Sequence, residues 1–192
     1  MKFRQTWTAV RALLILTVVL GVGYPLVVTA VGQVAFANNA NGQLVQVDGE
    51  TVGSAIIGQS FTDADGVALP EWFQSRPSAA GYDGGASSGS NYGPENEDLI
   101  AAIEERRAAI EALDGTSEIP ADAVTASASG LDPHISPEYA LLQVPRVAEV
   151  RGLDEGAVRA LVESLIQGRD LGYLGEPTVN VLALNIAVAK LG

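Results

Sequence analysis

Between Ala12 and Phe36 the chain runs for 25 residues without a charged side chain. As a helix that run is about 37 Å long at 1.5 Å per residue, against roughly 30 Å of bilayer hydrocarbon. It is long enough to span a membrane with some tilt, and that constrains everything after it. Lys2, Arg4 and Arg11 precede the run, with no acid among residues 1–36. The positive-inside rule therefore places the N-terminus in the cytoplasm and the rest of the chain outside. Pro25 cannot donate to the helix ladder and crowds the carbonyl of Gly21, so a kink is expected near Gly21–Tyr24. Gly21, Gly23 and Pro25 are candidate contacts for a neighbouring helix, because small residues let backbones approach closely. Ala35-Phe36-Ala37 has the form of a signal-peptidase site, but the apolar run far exceeds the roughly 7–15 residues of a signal core. The expectation is a retained, single-pass anchor.

The four expected regions are a cytoplasmic end (1–11), a membrane helix (12–36), a polar linker (37–43) and an extracytoplasmic α/β domain of α+β type (44–192). Beyond residue 36 all 23 acidic side chains face only eight basic ones, a net charge of −15. A surface so acidic argues against nucleic acid and anionic lipid as ligands. With no cysteine there is neither a disulfide nor a thiolate metal site.

In the outer region Asp48-Gly49 between two β-rich stretches predicts a hairpin, and Gly53 and Gly58 predict a bulge or a close backbone approach. Helices are predicted at about 95–113, with Glu104 to Arg107 on its outer face, and after Pro120. Another begins at Ser136-Pro137, broken near Leu141-Leu142 by Pro145, and one at about 155–167 is capped by Asp154. Arg76, among Trp72, Phe73 and Pro77, fits a local bond within its own domain better than a carboxylate on a partner. The Gly/Ser-rich stretch 81–94 is no phosphate cradle, since no lysine occurs between Lys2 and Lys190. Asn91 there is a candidate loop or partner contact.

The densest chemistry lies in 125–140: Ser127, Ser129, Gly130, Asp132-Pro133, the single histidine His134, and Ser136-Pro137. Gly130 allows a positive φ, and Asp132 can accept backbone N–H groups around the turn. A rigid loop feeding a helix is expected. A Ser/Asp/His triad is a poor reading, because Ser127 and Ser129 sit in SASG rather than in a G-x-S-x-G elbow, no S-x-x-K occurs, and an Asp two residues before the His across a proline is poorly placed to orient it. One His beside one Asp is also a weak metal set. Asn180 and Asn185 interrupt the apolar C-terminal run and need partners if buried; the 125–136 loop is the expected one.

Six collinear segments carry a resemblance. SASGLDPHISPEYA followed by QVPRVAEVRGL, YPL at 24–26, GSAIIGQSF at 53–61, WFQSRPSA at 72–79, GGASSGSNYGP at 84–94 and GEPTVNVLALNIAV at 175–188 resemble the C subunit of the Kdp potassium-transporting ATPase. The stretch 62–70, TDADGVALP, between GQSF and the aromatics, is where variation within the family is expected. The resemblance implies a non-catalytic accessory subunit of a high-affinity potassium uptake complex in the cell membrane. Its implied partners are a channel-like potassium-translocating subunit, the P-type ATPase catalytic subunit and a small single-helix subunit. K⁺ and ATP with Mg²⁺ are then used by the complex, with no cofactor, metal or catalytic residue in this chain. The residues alone also allow a membrane-anchored or secreted binding module.

Overall fold

The computed structural model describes residues 2–192, with side chains from Phe3 onward. The chain divides into two compact units between Leu44 and Val45.

The first unit is helical from Phe3 to Ala35, one helix long and apolar enough to cross a membrane. It comprises α1 (Lys2–Val18), a π-helical turn (Val19–Gly23) and α2 (Tyr24–Ala35). The helix thus starts well before the uncharged run. The π turn is how the helix accommodates Pro25: the Tyr24 N–H reaches back to the Val19 carbonyl, so one extra residue enters the turn where the proline has no N–H to give. The segment expected to be a polar linker is partly helical, as α3 (Ala37–Ala40). Asn41 stabilises it by donating to the Ala37 carbonyl at 2.6 Å.

The second unit mixes helices with small sheets, the expected α+β class. Strands β1 (Leu44–Val47) and β2 (Glu50–Ser54) pair across Asp48-Gly49. Both turn residues have positive φ, 52° and 88°, the geometry that matches strand twist. The next regular element is α4 (Glu97–Asp114), capped by Asn96 and stopped by Gly115. Its Arg106 does not point freely outward as expected, but donates to the Val124 carbonyl at 2.9 Å. There follow α5 (Ala121–Val124), β3 (His134–Ile135), α6 (Pro137–Leu142), α7 (Val144–Arg151), α8 (Glu155–Ser164), β4 (Val179–Asn180) and α9 (Val181–Ala189). Pro145 sits in the first turn of α7 and so separates it from α6. Helix α8 ends three residues short of the expected Gln167, because Gln167 pairs with Thr178 in a β-bridge.

The core is rich in valine: Val144, Val147, Val158, Val162, Val181 and Val188 from α7, α8 and α9 are buried against Phe73, Ile135 and Leu184. Between β2 and α4 lie some forty residues with no helix or paired strand. A stretch that long inside a packed domain needs other partners for its backbone groups.

Side chains from α7, from Gln143 at its N-cap and from α9 supply those partners. The Asn185 amide accepts from Phe73 N–H at 2.9 Å and donates to Phe73 C=O at 3.0 Å, as a neighbouring strand would. Gln143 does the same for Gln74, at 2.6 and 3.2 Å. Arg146 donates to the carbonyls of Pro70 and Trp72, to Gln143, and to Asp114 at 2.7 Å. Arg151 donates to the Glu71 carbonyl and lies 4.1 Å over the Trp72 ring. The stretch at 62–70 closes on itself, with Asp63 Oδ1 accepting from Asp65 and Val67 N–H at 2.9 Å.

Two interlocked loops form the candidate site

The 125–136 loop is built as its sequence implies. Ser127 Oγ accepts from Gly130 N–H at 2.9 Å and Ser129 Oγ from Leu131 N–H at 3.1 Å. Gly130 has φ +67°, and a Cβ there would stand 2.6 Å from the Ser88 carbonyl oxygen, so glycine is needed for both reasons. Asp132 Oδ1 accepts from His134 N–H at 3.0 Å, an Asx turn around Pro133. At the far end Asp122 takes both the N–H and the hydroxyl of Ser136, whose Oγ caps α6 at Tyr139.

The Gly/Ser-rich loop locks onto it. Ser88 N–H and Ser87 Oγ both donate to the Ser129 carbonyl, and Ser78 Oγ donates to the Gly130 carbonyl at 2.6 Å. Gly58 comes in from below: its N–H donates to the Leu131 carbonyl at 2.9 Å, and a Cβ would lie 2.5 Å from the Asp132 carbonyl. A Cβ at Gly53 would lie 2.6 Å from Gln59 Oε1 and 2.8 Å from Leu182 Cδ2.

Arg76 joins the two loops. Its guanidinium meets Asp132 Oδ2 at 3.0 Å and the Thr125 carbonyl at 3.5 Å, while its own carbonyl accepts from Tyr82 Oη at 2.7 Å. Burial pushes the Tyr82 phenol up to about 12, which keeps it a donor at any physiological pH. Burial also raises Asp132. The His134 imidazole (Nδ1 at 3.6 Å) and backbone N–H, with the Arg76 charge, outweigh that and hold the carboxyl below its ordinary value.

A depressed folded-state pKa stabilises the fold above the unfolded value, and that contribution is lost as pH falls through the folded value. The stability gap between the wild type and Asp132→Asn is therefore expected to be widest above about pH 4 and to close on further acidification. Melting temperatures of the full chain in detergent from pH 2.5 to 7 check this; a gap independent of pH would refute the Asp132 charge as its source.

Arg76, Ser127, Ser129, Asp132 and His134 thus come together. Asn91 lies apart on the exposed rim, at φ +53° with its amide on the Gly89 carbonyl. Gly21, Gly23 and Pro25 belong to the first unit, at the π turn. The expectation for the C-terminal asparagines is corrected. Asn180 donates to the Ala55 carbonyl and caps α9 through Ala183 N–H, and Asn185 clamps Phe73; neither side chain reaches the 125–136 loop. The loop is instead met by backbone, through β3–β4 pairing and Val181 N–H on the Pro133 carbonyl.

Each serine oxygen serves as a turn acceptor, and the His134 ring points at Asp132 rather than at a hydroxyl. Among the described residues no three His, Asp or Glu side chains converge on a metal-sized site. These contacts fix the shape of the loop. Sequence reasoning missed the bonding roles of Gln143, Arg146 and Arg151, whose signal was long polar side chains recurring among the buried valines and alanine of QVPRVAEVR.

Comparison with known proteins agrees on one family. The sequence profile described as the K⁺-transporting ATPase, c chain (KdpC), matches residues 6–190. The potassium-transporting ATPase KdpC subunit of Kineococcus radiotolerans is 56% identical over 189 residues, covering 96% of this chain and 93% of the relative. That of Caulobacter vibrioides is 55% identical, covering 90% of this chain and 86% of the relative. That of Mycobacterium tuberculosis is 49% identical, covering 98% of this chain and 99% of the relative.

Proposed function

The chain belongs to the family of the K⁺-transporting ATPase c chain, and from that premise we propose that it is a non-catalytic accessory subunit that stabilises its potassium-transporting complex from outside the membrane. The observation that carries this reading is how the outer unit uses its polar side chains: Asn185, Gln143, Arg146, Arg76, Ser127 and Ser129 all bond its own irregular backbone. A surface shaped that rigidly suits docking, since little ordering entropy remains to be lost on contact.

On this reading residues 1–11 are cytoplasmic, 12–36 cross the cell membrane once, and 44–192 stand outside. The partners are the channel-like potassium-translocating subunit, the P-type catalytic subunit that uses ATP and Mg²⁺, and a small single-helix subunit. Gly21, Gly23 and the π turn before Pro25 form the approach point for a neighbouring helix. An outer domain cannot touch cytoplasmic nucleotide, so any effect on nucleotide affinity travels through membrane helices as a coupling free energy.

The test is recovery of the tagged chain from gentle detergent, with intact-mass analysis of everything retained. The expected result is an uncleaved chain with a P-type ATPase and a channel-like subunit. Recovery alone, trimmed after Ala37, would instead make it a secreted binding module. A second arm measures potassium uptake at low external potassium with residues 1–40 only, and undiminished uptake there would remove the role of the outer domain.

A further inference from the structure

Between α8 and β4 the chain makes an excursion that the two interlocked loops do not use. Gln167 and Thr178 exchange backbone bonds at 2.8 and 3.0 Å, and Asp170 and Leu174 exchange a second pair at 2.9 Å. Arg169 and Glu176 form an ion pair across the same stem. The result is a narrow, doubly bonded hairpin. At its tip Leu171 holds φ +53° beside Gly172 at +82°, a left-handed conformation that leucine rarely adopts. Leu171 is 81% exposed and Tyr173 is 69% exposed, with Leu174 half-exposed beside them. Three apolar side chains held outward on a braced stem, one of them against its backbone preference, run counter to what burial alone selects.

We propose that residues 170–174 are a docking tip that seats in an apolar socket on the extracytoplasmic surface of another subunit of the ATPase, an inference that rests on the complex membership and topology proposed above. Charge gives an anionic lipid surface no hold on the tip: with Arg169 paired to Glu176, Asp170 leaves residues 169–176 at a net charge of −1, which anionic headgroups do not attract. Area disfavours a second copy or a soluble partner. Three side chains bury at most a few hundred Å², well under the ~1,000 Å² that a free-standing interface needs. So small a contact suffices only for a partner already held alongside, as a shared membrane holds two subunits and raises their effective concentration. Tyrosine at the centre, with an apolar ring and a polar hydroxyl, is the residue type that anchors such contacts.

The experiment places a photoreactive benzoylphenylalanine at position 173 of the full-length chain, co-produced with the complex and irradiated in native membranes. Position 118, another exposed site, serves as control, and the wild-type chain is pulled down in parallel. A crosslink from 173, but not from 118, to an ATPase subunit is the expected result. Adducts only with lipid or with a second copy of this chain, or none above control, overturn the docking tip. If the wild-type chain retains the ATPase subunits while 173 fails to crosslink, only the tip falls; if the wild type retains none, the accessory-subunit reading falls with it. Leu171→Gly separates docking from folding. It relieves the left-handed backbone while deleting the apolar side chain, so melting should be unchanged or higher while the complex retained through detergent washing drops about tenfold. Undiminished retention also overturns the proposal.

Discussion

Arg146→Ala is expected to destabilise the outer domain by about 3–5 kcal/mol, the range for breaking a buried ion pair by removing one partner. Domains of this size have about 5–15 kcal/mol in total, so the variant should be unfolded in moderate urea. The loss has two parts. The Pro70 carbonyl loses its donor, and the Trp72 carbonyl and Gln143 Oε1 each lose the charged one of two donors, keeping only a bond from Gln74. Asp114, whose side chain is 1% exposed and whose Oδ2 is already without a hydrogen-bond partner among the described residues, loses the counter-charge that Arg146 supplies. Burial pushes that carboxyl up even with Arg146 beside it, which marks it as the group most harmed by the change. Urea titration of the full chain in detergent can follow Trp72 in a Trp7→Phe background, because the Arg151 guanidinium stacks on that ring. Adding Asp114→Ala should return part of the stability by removing the stranded charge. A loss below about 1 kcal/mol for Arg146→Ala, or no recovery in the double variant, would refute this account of the clamp.

Asn185→Ala is the second large effect, about 2–6 kcal/mol, since it strands both the N–H and the C=O of Phe73 at about 1–3 kcal/mol for each buried unsatisfied group. Asn185→Asp gives a sharper test. One carboxylate oxygen can still accept from Phe73 N–H, but the other then faces the Phe73 carbonyl at the place where the amide donated at 3.0 Å. Only the protonated acid can donate there. The folded state therefore binds the proton more tightly than the unfolded chain, and stability rises as pH falls. The expected signature is a variant badly destabilised at pH 7 that regains much of its loss near pH 4. The opposite slope, or equal loss at both, would show that the side chain is not pairing with Phe73 as a strand would.

Much of this molecule is legible in its sequence. The uncharged run, the Asp-Gly hairpin, the Ser136 and Asp154 caps, the breaks at Pro145 and Gly152 and the turn chemistry of 127–134 all depend on residues within a few positions of one another. Backbone dihedrals, capping bonds and hydropathy act over that range, so the sequence read in short windows determined them. The same reasoning brought Ser127, Ser129, Asp132 and His134 together as one loop and kept Arg76 inside its own domain.

What only the tertiary structure decided lies at long separations. Asn185 meets Phe73 across 112 positions and Arg146 meets Trp72 across 74. No local periodicity encodes which irregular segment a buried amide will pair with. The expected pairing of Asn180 and Asn185 with the 125–136 loop failed for that reason: β3 and β4 satisfy that loop by backbone, leaving both amides free for Ala55 and Phe73. A short window fixes what a residue offers, a donor, an acceptor or an apolar face. Which distant group takes up that offer is decided by packing, because only the folded core brings residues so far apart in the chain within hydrogen-bonding distance.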